Sequence, residues 1–439
     1  MRKLEGTRVV VVGMGRSGAA AVRLLRQKGA LVRAVDEKPK GEIEGVTVES
    51  QTEAAFRDAE LVLLSPGVPA DLDLFAPVRA RGIPVIGELE LAAPYLAGPN
   101  IGITGTNGKT TTTALTGHIL SESGIGCQVG GNIGTAPAKM VETSRTDQWN
   151  VLELSSFQLE TIETFRAPIA ACLNLTQNHL DRHHSFENYV NAKARLFETQ
   201  QAGDLAVLNA DDAVTLTFAQ RTKASTVWFS GTHPVSGAWL DGEVIRMDSG
   251  ELLRVGELRL RGRHNYENVM AAALIARQAG ASLAQIASAA VTFAPVEHRL
   301  EFVRNIDGVD YYNDSKATSV DATLKAIDAF PGGLWIILGG KDKDSDYAVL
   351  SEPLRAKARA ALLIGAAAPK IARHLGDASV PVIQCGTLAA AVEKAARSAV
   401  PGQTVLLAPA CASFDQFDSY EHRGRVFKEL VKALAKGKP

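Results

Sequence analysis

Short apolar runs alternate with amphipathic stretches along the first part of this chain. The first run is followed by a glycine turn and an Ala/Leu-rich helix that ends near Lys28, and the second run ends at Asp36. Strands that alternate with helices are typical of a parallel sheet. The strands predicted in this part are Arg8–Val12, Ala30–Val35, Leu61–Leu64 and Ile83–Ile86.

The same alternation returns twice downstream. Between about Gly203 and Gly262, short strands and turns predict a small antiparallel addition. Pro and Gly residues before Asn100, and then Pro295, mark two boundaries. The pattern therefore predicts an α/β protein with three domains, 1–97, 98–298 and 299–439. Its further strands are predicted from Ile101 and at Val151–Leu154, Ala170–Leu175, Gly308–Tyr312, Leu334–Gly339, Ala361–Ile364, Val380–Gln384 and Thr404–Ala408.

The composition argues against several classes of protein. The chain has 439 residues, 46% of them apolar, and its 47 basic residues nearly balance 48 acidic ones. A balanced charge argues against a nucleic-acid or membrane-surface partner. The four cysteines show no CxxC spacing, and no apolar run has the length of a membrane span. We therefore expect a cytoplasmic protein with no nucleic-acid or membrane partner.

The stretch IGITGTNGKTTTT, which begins at Ile101, is an apolar strand followed by a glycine-rich loop that ends in Lys109 and Thr110. In this order the loop can cradle phosphates, the lysine can neutralise them, and the threonine hydroxyl can bind Mg²⁺. The strict phosphate-loop pattern has glycine where this chain has Ile103, so the loop is a variant. We predict an ATP site; the alternative is a glycine-rich turn that caps a helix.

An earlier glycine loop, Gly13 to Gly18, has GxGxxG spacing between a strand and a helix, with Asp36 downstream. Alone, this pattern predicts a dinucleotide site. The motif itself reports only that an anionic phosphate can bind at a helix N-terminus. Because the next domain offers a triphosphate loop, we favour another diphosphate-linked ligand over NAD(P), which stays an alternative.

Three polar side chains near predicted strand ends are candidates for metal chemistry. Glu153 ends a strand and is placed to bind Mg²⁺, although a buried Glu paired with a cation is the ordinary alternative. His179 and His183 could form a zinc pair only on a helix, and we expect His183 and His184 to be solvated. By spacing alone, Lys193 would lie on a solvated helix face.

A series of motifs changes this assessment. The chain contains, in order, GTNGKTTT, GGNIG, ELSSFQLE, NHLDRH, NAKARLF, HNYEN, EHRLE, NDSKAT and PACASFDQF. Together they resemble the Mur ligases of peptidoglycan synthesis, over nearly the whole chain. The resemblance implies an N-terminal Rossmann-like domain, a central P-loop ATPase-like domain and a C-terminal Rossmann-like domain.

The resemblance also implies site residues in four groups. The UDP-substrate group is Gly15, Arg16, Ser17, Asp36, Glu37, Ser65, Gly67, Asn132 and His179. The ATP group is Gly105, Thr106, Asn107, Gly108, Lys109, Thr110, Thr111, His264, Asn265, Asn268, Arg299, Asp314 and Lys316. The ligands for two Mg²⁺ ions are Thr110, Glu153, His179 and Lys193, the last as a carbamate. The D-glutamate group is Thr318, Lys343, Ser413, Phe414 and Tyr420.

The implied activity is an ATP-dependent ligase that adds D-glutamate to UDP-N-acetylmuramoyl-L-alanine through an acyl phosphate. Such an enzyme would serve cell-wall synthesis, and with it cell shape and division, and we expect a monomer. Its implied catalytic residues are Lys109, His179, Lys193 and Arg299. The alternatives are a family member that adds a different amino acid and a nucleotide-binding regulator without turnover. The SFDQF ending and the absence of a DNPR string favour D-glutamate over a diamino acid.

Overall fold

The computed structural model of this protein describes residues 3–248, 250–294, 297–376 and 380–434. As far as they are described, these residues form two compact units. One comprises Met1–Leu258 and Tyr266–Phe293, and the other Arg259–Asn265 and Ala294–Pro439. The first unit holds two sheets and the second unit holds one. The predicted α/β class is confirmed, while the domain limits 1–97, 98–298 and 299–439 stay predictions; Pro295 lies outside the described residues.

The first sheet has six strands in the order β3-β4-β2-β1-β5-β6. Its pairs are parallel except for the short β3–β4 hairpin. The sheet is covered on both faces, so β5 is apolar and buried throughout. The strands are β1 Arg8–Val12, β2 Leu31–Asp36, β3 Glu42–Ile43, β4 Val46–Ser50, β5 Leu61–Leu64 and β6 Val85–Gly87, and the helices are α1 Arg16–Gln27, α2 Ala76–Ala80 and α3 Glu88–Ala92.

The second sheet has nine strands in the order β15-β14-β13-β12-β11-β10-β7-β9-β8. Strands β7 to β12 pair in parallel with one another, and β12 also pairs in parallel with β13, whereas β13, β14 and β15 form an antiparallel meander at one edge. The strands are β7 Asn100–Thr104, β8 Cys127–Gly131, β9 Trp149–Glu153, β10 Ile169–Cys172, β11 Leu205–Asn209, β12 Ser225–Ser230, β13 Gly237–Asp241, β14 Val244–Met247 and β15 Gly250–Arg254. The helices are α4 Lys109–Glu122, α5 Pro137–Met140, α6 Ser156–Leu159, α7 Leu180–His183, α8 Phe186–Glu198, α9 Ala213–Leu216, α10 Arg263–Gln278 and α11 Leu283–Thr292.

The third sheet has six strands in the order β16-β17-β21-β18-β19-β20. Only the β16–β17 pair is antiparallel, so the carboxyl ends of the neighbours β17, β21 and β18 lie side by side at one edge. The strands are β16 Glu301–Ile306, β17 Val309–Asn313, β18 Leu334–Gly339, β19 Ala358–Ile364, β20 Val382–Gly386 and β21 Thr404–Leu407. The helices are α12 Val320–Asp328, α13 Ser351–Lys357, α14 Ala368–His374, α15 Leu388–Ser398 and α16 Tyr420–Leu434.

The structure differs from the predicted elements at the sheet edges. The strands β3, β4, β8 and β16 have weak apolar patterns and were not predicted. Strands β3, β8 and β16 are edge strands, which bury less side-chain surface, and β4 lies next to the edge strand β3. The predicted antiparallel addition is confirmed only for β13 to β15, because β11 and β12, which lie in the same predicted stretch, each pair in parallel with both of their neighbours. Strand β10 ends at Cys172 rather than Leu175, since Asn174 leaves the sheet to bind the phosphate loop.

Helix α3 fastens the first sheet to the second through two buried carboxyl groups. Glu88 accepts the backbone N–H of Ala138 at 2.5 Å. Glu90 accepts the backbone N–H groups of Glu163, Thr164 and Phe165 at 2.8 to 3.0 Å. The two sheets of the first unit are therefore held at a fixed separation.

The second carboxylate oxygen of Glu88 is buried and has no hydrogen-bond partner among the described residues. Burial raises the pKa of Glu88 to about 8 from 4.5. Between these two values the folded state keeps a proton that the unfolded state has released, so folding stability falls as the pH rises. We expect Glu88→Gln, which is neutral at every pH, to gain stability relative to the parent by roughly 1 kcal/mol per pH unit from about pH 5.5 to 7.5.

Urea unfolding of both proteins at several pH values measures this gain. The exposed Glu122→Gln is the matched control and should show no comparable slope. A difference between Glu88→Gln and the parent that stays constant across the pH range would contradict the buried, protonated carboxyl.

Within the described parts of the chain, none of the helices combines the length and the apolar character that crossing a bilayer requires.

Candidate active site

The predicted phosphate loop joins β7 to α4, at the carboxyl edge of the second sheet and the N-terminus of a helix of 14 residues. Gly105 and Gly108 have φ angles of 144° and 84°, in the region that favours glycine. A Cβ atom on Gly108 would lie 2.2 Å from Asn268 Oδ1. Glycine is therefore needed in this loop, and the helix that follows favours a bound anion.

Lys109 folds back over the loop that precedes it. Its Nζ donates to the carbonyl oxygens of Gly105 at 2.9 Å and Thr106 at 2.8 Å. Thr110 and Thr111 follow in the first turn of α4, and both are buried. A cation, a helix N-terminus and a hydroxyl thus meet at one loop, as the sequence predicts for phosphate binding.

Residues of neighbouring strands hold the loop in place. Asn174, just after β10, accepts the backbone N–H of Asn107 on its Oδ1 at 2.9 Å. Thr106 Oγ1 lies 3.0 Å from the hydroxyl of Tyr189 on α8. These bonds fix the loop before any ligand binds, so less conformational entropy is lost on binding.

Glu153 offers a buried oxygen suited to a cation. The residue is 2% exposed. Its Oε1 accepts the side-chain N–H of Asn132 at 2.9 Å, whereas its Oε2 is buried without a hydrogen-bond partner among the described residues. An uncompensated buried carboxylate oxygen is costly, and binding a hard cation would remove that cost. The side chain therefore fits the predicted Mg²⁺.

Lys193 is buried, which corrects the solvated helix face that spacing alone would suggest. It is 1% exposed, and its Nζ donates to Thr104 Oγ1 at 3.1 Å and to the carbonyl of Gly105 at 3.0 Å. Burial, with repulsion from Lys109, holds the pKa of Lys193 well below its usual value. The amine therefore lies beside the phosphate loop in an environment that disfavours its charge.

His179 is the N-cap residue just before the short helix α7, and it is exposed. Its φ of 54° lies in the left-handed region, which a histidine adopts only where the surrounding chain holds it. The centre of the His179 ring is 4.8 Å from the centre of the ring of Phe157, a residue of the preceding helix α6. An exposed imidazole held by an aromatic neighbour can bind a substrate or a metal.

The predicted solvation is correct for His184 and wrong for His183. His183 is buried, its Nε2 lies 2.9 Å from Ser156 Oγ, and its ring stacks on that of Phe157 at 5.5 Å. The Nε2 atom of His183 is therefore used in a contact with Ser156 inside the protein. His183 also supports the aromatic ring that contacts His179.

The first glycine loop lines a cleft of about 350 Å³ in the first unit. Its other walls come from the turn after β5 and from the segment after β8, so both sheets contribute. Of the predicted UDP-substrate residues, the cleft is lined by Gly15, Arg16, Ser17, Asp36, Ser65, Gly67 and Asn132. Glu37 and His179 are not among its lining residues.

Two features shape this cleft. The carboxylate of Asp36 accepts the backbone N–H groups of Met14 at 2.7 Å and Lys38 at 2.9 Å, so it holds the glycine loop. A Cβ atom on Gly18 would lie 2.0 Å from the carbonyl oxygen of Gly13, which explains the third glycine of the motif. The N-terminus of α1 therefore approaches the cleft closely enough to bind a phosphate.

In the second unit, Arg299, Asp314 and His264 interact electrostatically. Burial raises the pKa of Asp314 to about 7, against the attraction of Arg299. Burial also lowers the pKa of His264 to about 4. The Nε of Arg299 is buried without a hydrogen-bond partner among the described residues, so it can still donate to an anion. Asn265 Nδ2 donates to the carbonyl of Arg261 at 2.7 Å.

The predicted D-glutamate residues lie after the adjacent strands β17, β18 and β21 of the third sheet. Lys343 Nζ is 3.5 Å from Thr318 Oγ1. Ser413 is buried, whereas Phe414 is 68% exposed. Tyr420 begins α16. The carboxyl edge of this sheet thus brings Lys343 to Thr318, and a cation beside a hydroxyl suits an anionic ligand.

Lys316 also lies at this edge, with its Nζ 5.7 Å from the ring centre of Tyr420.

The sequence did not single out Tyr189 or Arg423, although the structure places Tyr189 beside the phosphate loop and Arg423 beside the loops at the edge of the third sheet. Arg423 is fully buried and donates to the carbonyls of Ser315 at 2.9 Å and Cys411 at 3.2 Å. Nothing in an amphipathic helix pattern distinguishes such an arginine from a solvated one.

Three family models match consecutive parts of the chain. The Mur ligase MurD-like N-terminal domain matches residues 7–87, the Mur ligase middle domain matches residues 103–276, and the Mur ligase glutamate ligase domain matches residues 298–411.

The chain is also similar to curated proteins over its full length. The UDP-N-acetylmuramoylalanine–D-glutamate ligase of Solibacter usitatus is 60% identical over 98% of this chain and 99% of its own. The ligase of the same name from Koribacter versatilis is 48% identical over 98% of both chains.

Solved structures show the same fold at lower identity. The UDP-N-acetylmuramate-alanine ligase of Thermotoga maritima has a TM-score of 0.63 at 18% identity, over 97% of this chain and 99% of its own. The MurF ligase of Thermotoga maritima, solved in complex with ADP, has a TM-score of 0.61 at 15% identity, over 99% and 100%.

Proposed function

The chain belongs to the Mur ligase family, and we propose that it joins D-glutamate to UDP-N-acetylmuramoyl-L-alanine while converting ATP to ADP and phosphate. The observation that carries this proposal is the 60% identity, over nearly the whole of both chains, with a ligase of that name. The phosphate loop beside a buried carboxylate, and the cleft at the first glycine loop, supply the sites that such a reaction needs.

In the first step, a carboxylate oxygen of the alanyl group attacks the γ-phosphorus of ATP. The bond from that phosphorus to the bridging oxygen breaks, ADP leaves, and an acyl phosphate forms. Phosphoryl transfer depends mainly on positioning and on neutralising charge. Lys109 and the N-terminus of α4 supply positive charge to the phosphates, and Arg299 is the proposed further cation.

The proposed residues that hold two Mg²⁺ ions are Thr110, Glu153, His179 and Lys193. When bound, the ions would neutralise the phosphate oxygens and orient them for in-line transfer. The unpaired Oε2 of Glu153 supports this assignment. The proposed remainder of the ATP site is the phosphate loop from Gly105 to Thr111 with His264, Asn265, Asn268, Asp314 and Lys316.

We propose that Lys193 carries a carbamate. A neutral amine attacks CO₂ and loses a proton, which gives an anion able to bind a metal. The burial of Lys193 and the nearby cation of Lys109 favour the neutral amine that this reaction requires. An unmodified amine would give the metal no anionic ligand at this position.

In the second step, the amino group of D-glutamate attacks the acyl carbon. The carbon–oxygen bond to phosphate then breaks, so phosphate leaves with one oxygen of the original carboxylate, and an amide remains. Lys343 and Thr318 are proposed to bind a carboxylate of D-glutamate, with Ser413, Phe414 and Tyr420 around it. The product is a peptidoglycan precursor, and we place the reaction in the cytoplasm, where nucleotide-linked sugars and ATP are available.

A panel of amino acids tests the proposal. With ATP, Mg²⁺ and UDP-N-acetylmuramoyl-L-alanine, we expect ADP release with D-glutamate to exceed that with L-alanine, L-lysine or meso-diaminopimelate at least a hundredfold, because a site built around an anion rejects ligands that leave it unpaired. L-Glutamate is the matched control, since it has the same groups with the opposite hand. Equal rates across the panel would overturn the assignment.

A further inference from the structure

Two loops of the second unit are tied together at the carboxyl edge of the third sheet. One follows β18 and contains Lys341, Asp342 and Lys343, and the other follows β21 and contains Cys411 and Ala412. The backbone N–H of Lys341 donates to Ala412 O at 2.8 Å, and that of Ala412 donates back to Lys341 O at 3.2 Å. The loops are thus joined as a short antiparallel bridge.

The carboxylate of Asp342 is the hub of the first loop. Lys370 Nζ, from α14, donates to Asp342 Oδ2 at 2.8 Å. The Tyr347 hydroxyl donates to Oδ1 at 2.7 Å, and the backbone N–H of Ser345 reaches the same oxygen at 3.3 Å. Burial disfavours the charged carboxylate, yet the bonds from Lys370 and Tyr347 lower the pKa of Asp342 to about 2. The side chain is therefore a fully bonded anion that fixes the loop around it.

Tyr347 connects this hub to the second loop. Its side chain is fully buried, and its hydroxyl also lies 3.1 Å from Cys411 Sγ. One phenol thus touches a side chain from each of the two loops. The ring of Tyr347 is fixed in the core on one face of the sheet. Its hydroxyl therefore holds both loops in a fixed position relative to that core.

The residue next to the hub is Lys343, whose Nζ reaches Thr318 Oγ1 at 3.5 Å. Lys343 is exposed, and partial desolvation of its ammonium group by the surrounding protein lowers its pKa. A long lysine side chain loses rotamer freedom when it is fixed against a ligand. A rigid backbone at Asp342 limits the conformations that the Lys343 side chain can adopt. Less conformational entropy is then lost when Lys343 binds a ligand.

We propose that Asp342 and Tyr347 are positioning residues that hold Lys343 against the carboxylate of the incoming amino acid. This inference rests on the proposed function, because it takes D-glutamate to be that amino acid. Neither residue belongs to the predicted substrate groups, and each acts through Lys343 rather than by contact with the substrate.

Steady-state kinetics of Tyr347→Phe test the inference, since this change removes one hydroxyl and little volume. We expect the KM for D-glutamate to rise about tenfold, the change that loss of one hydrogen bond to a charged group produces. The KM values for ATP and UDP-N-acetylmuramoyl-L-alanine should stay within twofold of the parent, and kcat should fall less than the KM for D-glutamate rises. Tyr311→Phe is the matched control, because Tyr311 is buried in the core on the opposite face of the same sheet.

A second pair of variants keeps the test decisive if Tyr347→Phe folds poorly. Lys370→Met, at a partly exposed position on α14, should raise the same KM, and Lys370→Arg should restore it. Unchanged KM values for D-glutamate in Tyr347→Phe and Lys370→Met, or equal rises for all three substrates, would overturn the positioning role. A parent enzyme that forms no ADP in response to D-glutamate would instead overturn the proposed function, and this inference with it.

Discussion

Replacing Lys109 by alanine is expected to reduce ADP formation about a thousandfold, the scale at which a single charge-stabilising group contributes to phosphoryl transfer. In the structure, Lys109 Nζ lies within 2.9 Å of two carbonyls of the glycine-rich loop, so the ammonium is already at the proposed site of the phosphates. The loss should appear in kcat with all substrates saturating, because the charge is needed most in the transition state.

Lys223→Ala is the control for this experiment, since Lys223 is an exposed lysine of the same unit. It should keep the parent rate. Unfolding by urea should show that Lys109→Ala remains folded. A Lys109→Ala enzyme that is folded and forms ADP within tenfold of the parent would contradict the placement of ATP at this loop.

Replacing Lys193 is expected to have an effect of similar size. Lys193→Ala should lower kcat about a thousandfold, because the proposed carbamate, a metal ligand, cannot form. Lys193→Arg separates this reading from a simple requirement for positive charge, since arginine keeps the cation but forms no carbamate under these conditions. Both variants should therefore be inactive, and an active Lys193→Arg enzyme would contradict the carbamate.

The modification can also be observed directly. With carbon-13 bicarbonate, nuclear magnetic resonance of the parent should show a carbamate signal that Lys193→Ala lacks and Lys223→Ala retains. The signal should weaken as the pH falls, because protonation of the amine removes the form that reacts with CO₂. Since burial and Lys109 hold the pKa of Lys193 well below its usual value, this loss should occur at a lower pH than for an exposed lysine.

Local patterns in the sequence predicted much of this architecture. The strands buried on both faces, such as β5 and β18, were predicted because their apolar runs are bounded by turn residues. The phosphate loop was found because the glycines, Lys109 and Thr110 that perform its function are neighbours along the chain. Elements and motifs that are built from residues adjacent in the chain can therefore be predicted from a single sequence.

The remainder depends on contacts between distant residues. His183 was expected in solvent, but Ser156 and Phe157 from a preceding helix enclose it. The burial of Lys193 depends on Thr104, and the order of the loop at Asp342 depends on Tyr347 and Lys370. No spacing rule links these positions, so their roles follow only from the folded chain.

The fate of the substrate oxygens tests the proposed acyl phosphate most directly. UDP-N-acetylmuramoyl-L-alanine labelled with oxygen-18 in its carboxylate is turned over with ATP, Mg²⁺ and D-glutamate, and the released phosphate is examined by mass spectrometry. We predict that each phosphate carries one labelled oxygen and that the new amide keeps the other. Phosphate that is released without label would show that ATP does not activate this carboxylate, which would contradict the proposed reaction.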